Sequence, residues 1–161
     1  MFKIERRLSR LDYLKRLKSE SLNELSSQDE SISNYSIVKF DNFTIGLKYF
    51  NDAYFPPVVV FETDKRIFIG LDKKLFQLDD FGRLLGEADL DFYISEIIPF
   101  NDVGIIVLFE IGACFYDLNF RCMWNISLDF IEDFKINNDA LILDTNSGQI
   151  EIEVCTGKLK K

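Results

Sequence analysis

The chain has 161 residues, of which 47% are hydrophobic and 29% are charged, as is typical of one globular domain. It has three cysteines and no histidine, which excludes histidine-based catalytic triads and the common zinc sites. The net charge is −8; residues 1–18 hold seven basic and two acidic residues and carry +5, so residues 19–161 carry −13. Such an acidic body disfavours nucleic acid and anionic membranes and favours a basic protein partner.

The three cysteines, Cys114, Cys122 and Cys155, have no spacing typical of a metal site or a disulfide framework. Their odd number fits a reducing compartment. Residues 1–11 carry charges where a signal peptide needs an apolar core, and no apolar run is long enough for a membrane span. We therefore expect a cytoplasmic protein without a cofactor or bound metal, in which all three cysteines are buried.

Residues 3–25 are predicted to form one amphipathic helix with a basic face. Its apolar residues recur at helical spacing, namely Ile4, Leu8, Leu11, Leu14, Leu22 and Leu25. Such a helix either lies on a membrane or on RNA, or packs its leucine stripe on the protein's own core. We favour the core, because the stripe has no aromatic membrane anchor except Tyr13.

Residues 26–36 are rich in serine and acidic residues, have no helical period and predict a linker. From Ile37 onward the period changes from helical to strand-like. The predicted division is therefore residues 1–36, a basic amphipathic helix with a serine-rich acidic linker, and residues 37–161, a β-repeat domain.

The second of these parts carries the signals of short antiparallel strands. Residues 149–154 alternate strictly, while residues 104–109 and 140–143 are continuous apolar runs that suit central strands. Turn-forming residues recur about every eight to twelve positions. The predicted fold is all-β, with antiparallel blade-like meander repeats (a partial or open propeller, or sandwich-like) and one N-terminal α-helix.

Three segments of this part resemble one another. Each is an apolar strand, a tight turn, an alternating strand, a second turn, a basic residue and an apolar residue. The basic residues are Arg83, Arg121 and Lys158, separated by 38 and 37 residues. A constant period of about forty residues made of short strands is the signature of propeller blades.

The second turn of each copy needs a residue in the left-handed conformation. Gly82 and Gly157 provide it in the first and third copies, and we expect Asn119 to provide it in the second. Asp79 and Asp117 stand at the start of this turn, where a carboxylate accepts hydrogen bonds from backbone N–H groups two residues on. We expect both aspartates to form their turns in this way.

The stretches RIFIGLDKKLFQLDDFGRLLGE and ALILDTNSGQIEIEVCTGKL resemble the blades of quinoprotein-type (PQQ-like) β-propellers, and the resemblance covers about residues 57–159. It implies blade-like antiparallel sheets, in an open array or with residues 37–55 as a degenerate fourth unit. Closed propellers need about four to eight blades, and only three copies are recognisable here. The tryptophan that follows the turn in that family matches only Trp124, and the family's cofactor residues have no counterparts.

No catalytic motif is present, since the glycines do not cluster and no serine lies in a nucleophile elbow. The favoured hypothesis is a non-enzymatic acidic inhibitor that blocks the basic cleft of a nuclease-like toxin. It rests on an analogy with bacterial immunity proteins in size, acidity and lack of catalytic groups. The expected partner-binding residues are Asp79, Asp80, Glu87, Asp89, Asp91, Asp129, Glu132 and Asp133. We expect Asp89 and Asp91 to share one face of a strand.

A scaffold or assembly subunit built from propeller-type repeats is the alternative. It would associate through open blade edges and the N-terminal helix, and it predicts that the purified protein forms oligomers. A hydrolase that uses paired carboxylates is a third hypothesis, because such chemistry needs two carboxylates that face each other.

Overall fold

A computed structural model of the chain describes residues 1–6, 8–27, 32–50, 58–63 and 66–160. These residues form sixteen strands and one helix, divided into two compact units, residues 1–93 and 94–161. Each unit contains two four-stranded sheets, which are numbered one to four along the chain. The predicted all-β class with one N-terminal helix is confirmed.

The first unit holds sheets one and two. Sheet one consists of β1 (Phe2–Glu5), β2 (Asn23–Ser26), β3 (Asn34–Phe40) and β4 (Thr44–Tyr49), in the order β1-β3-β4-β2, and helix α1 spans Arg10–Ser19. Sheet two consists of β5 (Val58–Glu62), β6 (Ile67–Leu71), β7 (Lys74–Leu78) and β8 (Leu84–Asp89).

The second unit holds sheets three and four. Sheet three consists of β9 (Ile94–Phe100), β10 (Gly104–Phe109), β11 (Gly112–Asp117) and β12 (Cys122–Ser127). Sheet four consists of β13 (Ile131–Asn137), β14 (Ala140–Thr145), β15 (Gly148–Glu153) and β16 (Lys158–Lys160). Sheets two, three and four are antiparallel meanders, which is the arrangement that the sequence repeats predict.

Sheet one differs from the three meanders. The hairpin of β3 and β4 corresponds to the predicted degenerate fourth unit, of which residues 51–55 lie outside the described residues. On its two sides β1 pairs antiparallel with β3, and β2 pairs parallel with β4. The hairpin alone would leave the outer edges of β3 and β4 without backbone hydrogen bonds, and β1 and β2 supply these bonds.

The predicted helix over residues 3–25 is wrong in its extent. The described helix α1 begins after Ser9, whose hydroxyl accepts a hydrogen bond from the Asp12 N–H at 3.1 Å. Ile4 and Leu25 belong instead to β1 and β2, and both pack in the core shared by sheets one and two. Their spacing fitted a helix because residues in separate strands can match a helical period by coincidence.

The predicted linker, residues 26–36, contains the beginning of a strand. Residues 34–36 form the start of β3, and residues 28–31 lie outside the described residues. Ser36 is fully buried, and its hydroxyl lies 2.8 Å from that of Tyr49 in a hydrogen bond. A serine in this segment is therefore part of the sheet core, because a buried hydroxyl is tolerated where it has a partner.

Helix α1 docks on sheet one through a different face from the predicted one. Tyr13 is fully buried, whereas Leu11 and Leu14 are exposed by 62% and 46%. A Cβ atom on Gly46 of β4 would lie 2.5 Å from the Tyr13 hydroxyl and 2.8 Å from Leu17 Cδ1. The helix thus packs closely against the sheet because residue 46 has no side chain.

The second turn of each repeat forms as predicted except in one position. Gly82 and Gly157 have φ angles of +77° and +70°. In the second copy Phe120, with φ +63°, takes the left-handed conformation that we expected of Asn119. The Asn119 N–H is instead bound to the Asp117 carboxylate at 2.9 Å, and the Phe120 ring contacts Tyr116 with centroids 5.2 Å apart.

Within each unit, an aromatic ring of one sheet packs on the turn glycine of the next sheet. The Phe43 ring lies against Gly82, and the Trp124 ring lies against Gly157. The Trp124 indole N–H also donates to the Val154 carbonyl at 2.5 Å. These contacts join sheet one to sheet two and sheet three to sheet four.

The cysteines are only partly as expected. Cys114 is buried, and desolvation raises the pKa of its thiol. Cys122 and Cys155 are exposed, so the expectation that all three are buried is wrong for these two. In the part of the chain that the structure describes, no helix has the length and apolar character needed to cross a membrane.

Candidate binding surface

A cavity of about 410 Å³ lies in the first unit, beside the turn that joins β3 and β4. It is lined by Met1, which precedes β1, and by residues at the ends of β3, β5 and β6, in the turns next to them and in the β7–β8 turn. They are Met1, Phe40, Asp41, Asn42, Phe43, Glu62, Thr63, Ile67 and Asp80. Its volume falls in the range of small-ligand sites, about 300–1,000 Å³.

Two stacked phenylalanines line one side of this cavity. The rings of Phe40 and Phe43 lie 4.5 Å apart at an angle of 19°. The Phe40 N–H donates to the Phe43 carbonyl at 2.9 Å, which closes the turn between them. Because Phe43 also packs on Gly82, this aromatic wall is held by both sheets of the unit.

Three carboxylates, those of Asp41, Glu62 and Asp80, also line the cavity. The Met1 α-ammonium lies 3.0 Å from Asp41 Oδ2 and 3.5 Å from Glu62 Oε2. The hydrogen bond to Asp41, with help from Glu62, raises the pKa of this ammonium above its ordinary value. A single ammonium group here thus reaches two carboxylates at once, beside aromatic rings that also attract cations.

Of the eight acidic residues singled out in the sequence, Asp80 lines the cavity and its neighbour Asp79 does not. Asp79 is buried in the β7–β8 turn, where it accepts hydrogen bonds from the N–H groups of Phe81 at 3.0 Å and Arg83 at 2.9 Å. Its other oxygen pairs with Arg83 Nε at 2.6 Å. Desolvation opposes ionisation of Asp79, but these bonds outweigh it and lower its pKa. The expected turn-forming role of Asp79 and Asp117 is confirmed.

Glu87, Asp89 and Asp91 lie away from this cavity, toward the other end of β8. The strand ends at Asp89, so the expectation that Asp89 and Asp91 share one strand face is wrong. Six residues of strand span about 17 Å, which separates Asp80 from this end of the sheet. Asp89 also has a structural partner, since its carboxylate lies 3.2 Å from the Lys74 ammonium, whose side chain is only 3% exposed.

The remaining three acids, Asp129, Glu132 and Asp133, belong to the second unit and are all exposed. Asp129 precedes β13 and accepts a hydrogen bond from the Ser147 hydroxyl. Asp133 lies in β13 and accepts one from the N–H of Phe134 at 2.8 Å. Within the first unit, the predicted residues therefore lie at two separate places, one at the cavity and one at the other end of β8.

Asp41 and Glu62 were missed in the sequence. Asp41 lies in a hairpin turn of sheet one, which carries none of the repeat pattern, and Glu62 closes β5. The pair Asp41-Asn42 between two apolar segments is a turn signal that could have marked an exposed carboxylate. Within the described ranges, no three acidic or cysteine side chains are grouped closely enough to hold a metal ion.

We expect Asp89→Lys to lower the free energy of unfolding by about 1–3 kcal/mol, because the buried Lys74 ammonium loses its partner and gains a like charge. The value is set below that of a fully buried pair because Asp89 itself is 83% exposed. The free energy of unfolding of the variant is measured by urea unfolding. Asp91→Lys, which makes the same charge change at an exposed site, is the control. Equal losses in the two variants would contradict a structural role for Asp89.

Searches against protein-family models and against curated protein sequences find no match. Solved structures of β-propeller proteins do resemble the chain. HIRA(644-1017) matches with a TM-score of 0.54 and 6% identity, over 99% of this chain and 48% of that one. Sqt1 from Saccharomyces cerevisiae matches with a TM-score of 0.55 and 12% identity, over 83% and 46%. The dihydro-heme d1 dehydrogenase NirN in complex with DHE matches with a TM-score of 0.55 and 12% identity, over 79% and 32%.

This chain thus spans about half or less of the length of each of these proteins. At such identities the likeness shows the fold alone, and it confirms propeller-type repeats. Membership of the PQQ-like group in particular stays a prediction.

Proposed function

We propose that the protein is a non-enzymatic protein-binding module whose acidic cavity receives a basic side chain of a partner protein. The observation that supports this most directly is the cavity of the first unit, where Asp41, Glu62 and Asp80 stand beside the stacked rings of Phe40 and Phe43. A lysine or arginine of a partner would displace the Met1 ammonium and take over its two carboxylate contacts. The net charge of −8 would speed the encounter with a basic surface.

The partner that we propose is a basic protein, and a nuclease-like toxin blocked by this chain in the cytoplasm is the specific case that the sequence suggests. The identity of the partner as a toxin and the cytoplasmic location stay predictions. The same holds for a role in binding of the further predicted acids Glu87, Asp91, Asp129, Glu132 and Asp133. Asp79 and Asp89 are less suited to contact a partner, because their carboxylates are engaged with Arg83 and Lys74.

The test compares two triple variants that make the same change in charge. Asp41→Asn/Glu62→Gln/Asp80→Asn neutralises the cavity, and Glu96→Gln/Asp102→Asn/Glu110→Gln neutralises three exposed acids to which no binding role is assigned. A partner captured from host lysate at low salt is identified by mass spectrometry, purified, and its association and dissociation rates are measured with each protein.

We expect the cavity variant to weaken binding at least about tenfold, through faster dissociation, because charge-assisted contacts at a binding centre each contribute on the order of 1 kcal/mol or more. The control variant should change mainly the association rate, by a few-fold. The association rate of the unmodified protein should also fall between low and physiological salt, where the screening length shortens to about 8 Å. An acidic partner, or equal dissociation rates for the two variants, would refute the proposal.

A self-assembling scaffold is the second candidate function. The observation that favours it is the exposure of β13, of whose seven residues six are exposed. It needs no basic partner, and it predicts association of the chain with itself.

A further inference from the structure

Strand β13, at one edge of sheet four, is exposed at six of its seven residues. In the described part of the chain it pairs only with β14. By contrast, β9, the edge strand in the corresponding position of sheet three, has three buried residues among seven. An uncovered strand edge is a template for pairing with a further strand.

The register of the β13–β14 hairpin shows which backbone groups of β13 are directed away from β14. The two strands join through a two-residue turn closed by Asn137 and Ala140. Antiparallel pairs alternate between hydrogen-bonded and non-hydrogen-bonded, so counting back from this pair leaves the N–H and C=O groups of Phe134 and Ile136 directed away from β14. The Phe134 N–H indeed bonds to the neighbouring Asp133 carboxylate at 2.8 Å.

The side chains of β13 are divided between the two faces of the sheet. Phe134 and Ile136 stand opposite Leu143 and Leu141 of β14, and they remain 36% and 37% exposed. Asp133 and Lys135 alternate with them and point to the other face.

We propose that β13 is the self-association surface of this chain, and that it pairs antiparallel with β13 of a second copy about a two-fold axis at Phe134. In this register the two Phe134 residues form the central hydrogen-bonded pair, and each N–H exchanges the Asp133 carboxylate for the carbonyl of the opposite Phe134. Asp133 of each copy then stands opposite Lys135 of the other in a non-hydrogen-bonded pair, where side chains lie closest. The proposal deepens the scaffold function and does not rest on the basic-partner function.

Charge selects this register over its neighbours. Only registers that align outward-directed backbone groups can form a ladder, so the alternatives are shifts by two residues. One shift places Lys135 opposite Lys135, and the other places Asp133 opposite Asp133. The central register alone gives two opposite-charge pairs, and it brings the half-exposed Phe134 and Ile136 of both copies together on one face.

The test is sedimentation equilibrium of the full chain with a set of charge swaps. We expect a mass that rises from 18.8 kDa toward twice that value, with half-association at concentrations of about 10–100 µM, because the interface is small. Asp133→Lys and Lys135→Asp should each weaken association at least about tenfold, because each creates two like-charge pairs. The double variant Asp133→Lys/Lys135→Asp should restore it to within about threefold, because both opposite-charge pairs reform.

Circular dichroism of each variant checks that it folds, and hydrogen exchange of the unmodified protein gives a second readout. The Phe134 and Ile136 amides should exchange slowly only at the higher concentrations. A monomer at all concentrations, a double variant no better than the single ones, or exchange of these amides that ignores concentration would overturn the proposal. Binding of a basic partner could survive all of these outcomes, so failure here is distinct from failure of the basic-partner function.

Discussion

Replacing Gly157 by alanine should lower the free energy of unfolding by about 2–5 kcal/mol, although it adds a single methyl group. Two costs combine. An alanine at φ +70° is strained by about 1–2 kcal/mol. Its Cβ would also lie 2.6 Å from Trp124 Cγ, so the indole must move, and overpacking of this kind costs about 1–3 kcal/mol.

The indole has little freedom to move, because its N–H is bound to the carbonyl of Val154, which lies three residues before Gly157 in the turn between β15 and β16. Its ring also stacks on Phe115 with centroids 6.2 Å apart. The added methyl group therefore disturbs the contact between sheets three and four, and the loss should appear in urea unfolding of the whole second unit.

A double-mutant cycle separates the two costs. In a Trp124→Gly background both the ring and the Cβ atom of residue 124, which would lie 2.8 Å from the added methyl group, are absent, so Gly157→Ala should then cost only the backbone strain of about 1–2 kcal/mol. An equal cost with and without the indole would show that the ring does not restrain this turn.

The contact also illustrates what the sequence could and could not predict. Gly82 and Gly157 were recognised because a turn needs a residue of positive φ at a fixed position in each repeat. The ring that covers each glycine could not be assigned, because it comes from a different sheet. Phe120 shows a related limit of prediction from the sequence. Local propensity favoured Asn119 for the positive φ angle of this turn. Phe120 adopts it instead, and its ring contacts that of Tyr116.

Of the three carboxylates that line the candidate binding cavity, only that of Asp80 was among the partner-binding residues predicted from the sequence. Asp80 was found because it lies in a recognisable repeat turn. Asp41 and Glu62 come from two different sheets, and their proximity depends on how sheet one packs on sheet two. Sheet one itself combines β1 and β2, which lie on either side of helix α1 in the chain, with the hairpin of β3 and β4. No periodic pattern in the sequence indicates that these strands pair.

The N-terminal helix gives the second large effect. Tyr13→Ala should lower the free energy of unfolding by about 3–5 kcal/mol, because it empties a fully buried site between the helix and sheet one. The lost side chain covers Gly46 of β4, contacts the Tyr35 ring with centroids 5.0 Å apart, and donates to the Glu24 carboxylate at 2.8 Å. Leu11 and Leu14 of the same helix cannot fill this space, since both are exposed.

Two further variants make the expectation specific to this face of the helix. Leu14→Ala removes an apolar side chain of the same helix that is 46% exposed, and it should cost less than about 1 kcal/mol. Tyr13→Phe keeps the ring and should cost about 1 kcal/mol, because Glu24 retains its ion pair with Lys48 at 2.6 Å when the hydroxyl is lost. Thermal and urea unfolding of the three variants rank them. A larger loss for Leu14→Ala than for Tyr13→Ala would mean that the leucine stripe, and not the tyrosine face, holds the helix on the sheet.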